Sequence, residues 1–264
     1  MQTAYRIVSG WLSDNFLKLN DGKSEVILVG SPNHISNCKN TLKFINLGSS
    51  NIKLASTVKN LGVIFDESLS FMTHITNCRK NSFLFLNNLR HIRSYFSRSN
   101  FESIIHAFIT SKLDYCNSLF TNLPNTSIAK LQSIQNYAAR LILRRGLYSH
   151  ITPLLHELHW LPVCDRITFK VLLITFKVIH NSSPLYLLSQ LRFKTNPRNL
   201  RHHDPLLLDI PRSRSARMGD RSFSTVAPKL WNPLPFHIRS APSVTVFKSQ
   251  LKEHLFTLRY SHLS

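Results

Sequence analysis

The sequence predicts a mainly α protein with a small β portion (α+β) near its amino terminus. Three observations carry that expectation. Short runs rich in Val and Ile, bounded by Gly, Asn and Asp, lie within the first 70 residues. Between residues 71 and 147, three segments repeat apolar residues every three to four positions, the spacing of one helical face. The remainder, 148–264, mixes further helical patterns with stretches rich in Pro and Arg.

Taken in order, WLSDNFLKL reads as the end of a helix, with Trp11, Phe16, Leu17 and Leu19 as its apolar contacts. Asn20-Asp21-Gly22 supplies a turn, because these residues tolerate tight or left-handed backbone. SEVILVG predicts a buried strand ended by Gly30-Ser31-Pro32. KNLGVIFD predicts a second strand, leaving through Asp66-Glu67-Ser68. Two short strands do not make a stable sheet alone, so this portion looks incomplete.

In residues 71–96, positions 72, 75, 78, 83, 86, 89, 92 and 96 share one helical face. Ser99-x-x-Glu102 has the form of a capping box, which predicts a helix start with Ile104, Ile105, Phe108, Ile109 and Leu113 inward. Ile128, Leu131, Ile134, Ala138, Leu141 and Ile142 form the stripe of a third helix. Arg144 and Arg145 complement its negative end, and Gly146 is expected to close it in left-handed conformation. Three amphipathic helices with short links predict a helical bundle.

Beyond residue 147, VCDRITFKVLLITFKVIH predicts a helix with Val163, Ile167, Val171, Ile174 and Val178 inward. Arg166, Lys170 and Lys177 fall on its other side. Ser183-Pro184 fits an N-cap and first helical position for PLYLLSQL. Residues 192–221 hold eight basic residues against three acidic, with little periodicity. A last helix carries Phe247, Leu251, Leu255 and Leu258 on one side.

Charge narrows the partner. The 264 residues contain 33 Lys and Arg against 13 Asp and Glu, a formal charge of +20. Such a surplus repels itself unless a polyanion lies against it, and nucleic acid is the commonest one. A membrane surface is the rival. No apolar run approaches the roughly 20 residues that span a bilayer, and no basic-then-apolar leader opens the chain. The expected location is therefore nuclear or cytoplasmic, neither secreted nor in a membrane. The four cysteines, at 38, 78, 116 and 164, have no CxxC spacing and read as reduced thiols.

Few residues are arranged for chemistry. Metal-assisted phosphoryl transfer needs several converging carboxylates, and the one adjacent pair, Asp66-Glu67, sits in a predicted surface turn. His156-Glu157-Leu158-His159 spaces its histidines by three, where the helical zinc motif needs four. Cys164 lies near His159 but has no recognisable third residue to orient the pair. His202-His203-Asp204 falls in the basic linker, and no Gly-rich phosphate loop is present. No metal or cofactor site is expected in this chain. Cations suited to backbone phosphates are better represented: Arg212, Arg214, Arg217 and Arg221 in PRSRSARMGDR, with Arg140, Arg144, Arg145, Arg166, Lys170 and Lys177. Contacts of that kind grip RNA or DNA without reading its sequence.

The order of these segments carries a resemblance. WLSDNFLKLNDGKSEVILVG, VKNLGVIFDESLSFMTHI, SKLDYCNSLF, LQSIQNYAARLI, LLHELHWLPVCDRITFK and FSTVAPKLWNPLPFHIRSAPSVTVFKSQLKEHLF follow one another. Over nearly its whole length the chain is similar to the carboxyl-terminal part of reverse transcriptases from non-LTR (LINE-type, jockey-like) retrotransposons. The resemblance implies that 1–70 is a palm remnant, 71–147 a thumb-like helical bundle and 148–264 a basic carboxyl-terminal segment. Lys23 would match a lysine near the leaving pyrophosphate. Leu61, Gly62, Val63 and Asp66 would match the primer grip.

The chain departs from the family at one decisive point: no aromatic-x-Asp-Asp block, and no Asp-Asp pair, occurs in it. The family's RNA-directed DNA polymerase holds Mg ions on those carboxylates. The resemblance therefore implies a truncated portion that grips RNA, DNA or an RNA–DNA duplex non-specifically without extending it. The alternative is a host-adopted nucleic-acid-binding or interaction protein derived from such an element.

Overall fold

The computed structural model describes residues 2–42, 44–47, 50–194, 204–213, 215 and 218–263. The protein is mainly α with a small β portion, as the sequence predicts. It divides into two compact units, Met1–Thr76 and Asn77–Ser264.

The first unit opens with α1 (Gln2–Asp14), whose end is set where Phe16 turns left-handed at φ 57°. Trp11, Phe16 and Leu17, expected as helix contacts, are 60%, 98% and 55% exposed. Strand β1 is only Val26–Ile27. Ser31-Pro32, read as a strand end, starts a helix instead: α2 (Pro32–Thr41). The Ser31 hydroxyl accepts the His34 N–H at 3.4 Å, and Pro32 takes the first helical turn, where it loses no hydrogen bond.

The sheet is larger than the two predicted strands. Strands β2 (Phe44–Leu47) and β3 (Ser50–Ala55) pair antiparallel, with Ile45 opposite Ile52. Strand β1 joins β3 in parallel, Val26 opposite Leu54, giving the order β1-β3-β2. KNLGVIFD is not one strand but a hairpin of β4 (Thr57–Asn60) and β5 (Val63–Asp66). Its two-residue turn, Leu61-Gly62, has φ of 47° and 87°, the double positive value that suits the twist of a tight hairpin.

Of α3 (Met72–Ile92), residues 77–92 belong to the second unit, and there Ser82, Leu86 and Leu89 turn inward. Ile92, expected inward, is 41% exposed, and Arg93 in the following 3-10 turn is buried in its place. Helix α4 (Arg98–Ile105) opens at Ser97 rather than Ser99, the Ser97 hydroxyl accepting the Asn100 N–H at 3.2 Å. It runs through a wide π turn, His106–Thr110, into α5 (Ser111–Asp114). The buried residues Phe101, Ile105, Ile109 and Leu113 fall four apart. A 3.6-residue helix drifts about 40° over each such step, and the wide turn absorbs the drift. Phe108, expected inward, is left 50% exposed.

Helix α6 (Asn125–Ile142) buries Leu131, Ile134, Ala138 and Ile142 as predicted. Its closure differs. Arg144, not Gly146, adopts the left-handed conformation at φ 52°, and the Arg145 N–H reaches back to the Arg140 carbonyl at 2.9 Å. After α7 (Ile151–Glu157) comes α8 (Val163–Ile179), buried on most sides and packed by α6 and by the later α10 (Phe223–Trp231) and α12 (Val244–Tyr260). Phe176 of α8 stacks on Phe247 of α12 at 4.2 Å, beside the fully buried Trp231. The short α9 (Leu185–Leu188) starts after Pro184, which takes the capping place instead of Ser183. Between α10 and α12 lies α11 (Phe236–Arg239). Leu258 of α12, expected inward, is 64% exposed, and Tyr260 is buried near the helix end.

Irregular chain is fastened by side chains. The Trp231 indole donates to the Leu206 carbonyl at 2.7 Å. The Asn232 amide accepts the Leu208 N–H at 2.9 Å and donates to the Leu208 carbonyl at 2.8 Å. Arg239, 6% exposed, pairs with Asp204 at 2.6 Å.

Candidate nucleic-acid interface

Lys23 closes a 3-10 turn, Asp21–Lys23, where its N–H donates to the Asn20 carbonyl at 3.0 Å and its side chain is exposed. At the hairpin matched to the primer grip, Leu61 stands 82% exposed on the turn while Val63 is 1% exposed. Asp66 is not a free surface carboxylate. Its oxygens accept the Ser68 N–H and hydroxyl, the Ser70 N–H and hydroxyl, and the Phe71 N–H at 2.6–3.2 Å. Burial alone would raise its carboxyl, but these bonds outweigh that effect and hold it below the usual carboxylate range. Its neighbour Glu67 is paired with Lys39. Burial also pushes His74 down, in keeping with the Ile64 N–H donated to its Nδ1 at 3.4 Å.

In the second unit, 26 Lys and Arg stand against 8 Asp and Glu. Five of those acids pair with a Lys or Arg: Asp114 with Arg166, Glu157 with Arg98, Asp165 with Arg259, Asp204 with Arg239 and Asp220 with Lys229. A sixth, Glu102, faces His106 at 3.6 Å. The acids are thus largely spent on internal contacts, which leaves most of the cationic surplus uncompensated.

The predicted cations divide by use. Arg166 grips Asp114 through Nε at 2.8 Å and through Nη2. Arg140 donates twice to the Ser149 carbonyl, at 2.9 and 3.3 Å. Arg221 reaches the Thr121 and Leu119 carbonyls at 3.2 and 3.1 Å. Each of these three works inside the fold. Arg144, Arg145 and Arg212 are exposed, Lys170 and Lys177 half-buried, and none of the five makes an ion pair among the described residues. Arg214 and Arg217 lie outside the described residues, as do His202 and His203.

One arginine was not picked out from the sequence. Arg93, 8% exposed, donates to the carbonyls of Leu141 at 2.9 Å, Ile142 at 2.7 Å and Phe96 at 2.8 Å. Its guanidinium also lies over the Phe101 ring, 4.5 Å from the centroid. Among the described residues it has no carboxylate partner; the carbonyls at the negative end of α6 balance it. Burial, and then the charge of Arg144, lower its pKa from the usual guanidinium range.

His156, His159 and Cys164 all meet side chains of α12. His156 and His159 pack on Phe256, with ring centroids 5.3 and 5.4 Å apart. Burial and Asp165 push the Cys164 thiol up, away from the thiolate a nucleophile needs. Asp165 itself takes a two-pronged bond from Arg259, at 2.7 and 2.6 Å. Burial, then Asp165, raises Tyr260 to about 12, and its hydroxyl donates to the Trp160 carbonyl at 2.8 Å. Among the described residues, no three His, Cys, Asp or Glu groups come together to hold a metal ion. Among the described residues, too, no helix is long and apolar enough to cross a membrane. No family model, curated protein or solved structure matches the chain.

Proposed function

We propose that this chain is the nucleic-acid-gripping, carboxyl-terminal portion of a non-LTR retrotransposon reverse transcriptase, holding primer–template without forming bonds. One observation carries the reading: 26 cations against 8 acids in the second unit, with most of those acids already engaged internally. A surface so unbalanced favours a polyanion, and its contacts are sequence-independent because lysine and arginine meet the phosphates rather than the base edges. The order of segments matching palm end, primer-grip hairpin and thumb supports the particular family. The absence of an Asp-Asp pair from the sequence supports grip without extension.

The test is binding of a labelled RNA–DNA duplex by fluorescence anisotropy over a salt series. With about six phosphate contacts, affinity falls roughly 10³-fold between 50 and 200 mM salt. Binding that ignores salt, or no binding at 50 mM salt or below, refutes the reading. Template-directed nucleotide incorporation by the purified chain refutes the non-extending part of it.

A further inference from the structure

Where the end of α6 meets the 3-10 turn after α3, a cleft of about 370 Å³ is lined by Arg93, Ser97, Arg98, Arg144, Arg145 and Glu157, among others. Four guanidinium groups thus share one small concavity with a single carboxylate. That carboxylate, Glu157, is already bound to Arg98 at 2.7 Å. Arg93 is fixed by its three carbonyl bonds, yet a guanidinium has five N–H donors, so two are left over for an acceptor. Ser97 caps α4, whose first turn carries the positive end of the helix dipole.

A second feature points the same way. Arg144 occupies a left-handed closing position that glycine fills at no steric cost. That turn sets Arg144 in the lining of the cleft. Two tyrosines stand beside the cleft in sequence: Tyr95, in the turn with Arg93, is 85% exposed, and Tyr148, three residues after Arg145, is 101% exposed. Neither ring lines the cleft itself; exposed aromatic rings two or three residues along the chain from its arginines can stack the bases of a strand held there.

We propose that this cleft binds the phosphodiester backbone of an unpaired nucleic-acid strand, with Tyr95 and Tyr148 stacking against its bases. The proposal rests on the reading of the chain as a nucleic-acid-binding protein and adds a place and a strand type to it. Stacking requires bases that are not already paired, so a single strand is preferred to a duplex of equal charge.

The test compares labelled oligothymidylate with a duplex of the same length, by anisotropy, for the full chain and three variants. Arg144→Gly with Arg145→Gln removes two cations while giving the helix end the residue its backbone favours, so the fold is kept; circular dichroism checks this. Losing two phosphate contacts should weaken single-strand binding by roughly 10-fold and flatten the salt slope by about 1.4. Tyr148→Ala should weaken single-strand binding about 5-fold or more and leave duplex binding unchanged. Glu157→Gln, which frees Arg98, should tighten single-strand binding.

Lys80→Gln with Lys248→Gln is the control of equal charge on exposed surface of α3 and α12. If it costs as much as the arginine pair, the site is overturned while general nucleic-acid binding stands. If the unaltered chain binds neither strand form at low salt, both readings fall. Displacement of the oligonucleotide by polyglutamate of equal charge, as readily as by unlabelled strand, would overturn the nucleic-acid assignment of the cleft.

Discussion

Replacing Arg93 by Met isolates what a buried cation contributes when no carboxylate balances it. The variant keeps the aliphatic stem and loses three charged hydrogen bonds, to Leu141, Ile142 and Phe96 carbonyls at 2.7–2.9 Å. Such bonds are worth about 1.5–3 kcal/mol each by mutation, so a simple sum is large. Two effects reduce it. The desolvation of the guanidinium disappears with the charge, and carbonyls at the end of a helix can be met in part by water. The expected net loss is about 3–4 kcal/mol. In urea, with a slope of about 2 kcal/mol/M, the midpoint falls by roughly 1.5–2 M. Tryptophan fluorescence reads the correct unit, because Trp160 and Trp231 are buried in it while Trp11 is 60% exposed in the other. Arg93→Lys restores the charge but not the planar fork, and one ammonium cannot span three carbonyls, so it recovers less than half of the loss. A midpoint shift below about 0.5 M for Arg93→Met would refute the idea that this side chain ties the end of α6 to the turn after α3.

Two further outcomes concern the first unit. Leu61→Asn puts the side-chain-bearing residue most tolerant of positive φ ahead of Gly62 in the hairpin turn and should raise stability by about 1 kcal/mol in thermal melts. Acid should act in two stages, followed by far-UV circular dichroism. His74 in the fold lies below its unfolded value, so the unfolded chain takes up the proton first and stability starts to fall as pH drops below about 6.5. Asp66 in the fold also lies below its unfolded value; its contribution is present above about pH 3.9 and is lost as pH falls through the folded value. His74→Gln should shrink the first stage and leave the second; the remainder of the first belongs to His254 of α12, which burial and then His237 also hold below its usual value.

What could be read from the sequence follows from where burial leaves a pattern. The stripe of α6 was legible because one face is packed against apolar neighbours, and a 3.6-residue period records that; α8, buried on most sides, was legible as a long and nearly continuous apolar run. Strands β2 and β3 were not. Half-buried Ile52 and Leu54 do alternate with exposed Asn51 and Lys53, but the run is short, the burial shallow and Phe44 52% exposed, so the alternation is weak in the sequence. At the start of α4, Ser97 and Ser99 offered competing caps; opening at Ser97 brings Phe101, 0% exposed, within the first turn and a half of the helix, and core packing decides the choice. The π turn leaves only an indirect trace, the four-residue spacing of Phe101, Ile105, Ile109 and Leu113. Arg93 was visible in principle, since it continues the spacing of Leu86 and Leu89, but an arginine on an apolar stripe is easily taken for its end.

The candidate interface was legible as a quantity of charge and not as a set of residues, and the reason lies in the chemistry of arginine. Its planar fork satisfies two or three acceptors at once with a weakly hydrated charge, so a fold can draw it inside. Arg93, Arg140, Arg166, Arg221, Arg239 and Arg259 are all used that way, on carbonyls or carboxylates of this chain. Lysine, with a compact and strongly hydrated ammonium, stays near water. A count of basic residues treats the two alike. The formal charge of +20 therefore sets the sign and reach of the field around the protein, while the phosphate contacts of the proposed function fall to the cations the fold leaves over. Arg144 and Arg145 at the end of α6 belong to that remainder, and Arg140, one turn earlier on the same helix, does not. A steep field with a smaller number of direct contacts predicts fast, salt-sensitive association whose salt slope counts contacts far fewer than twenty.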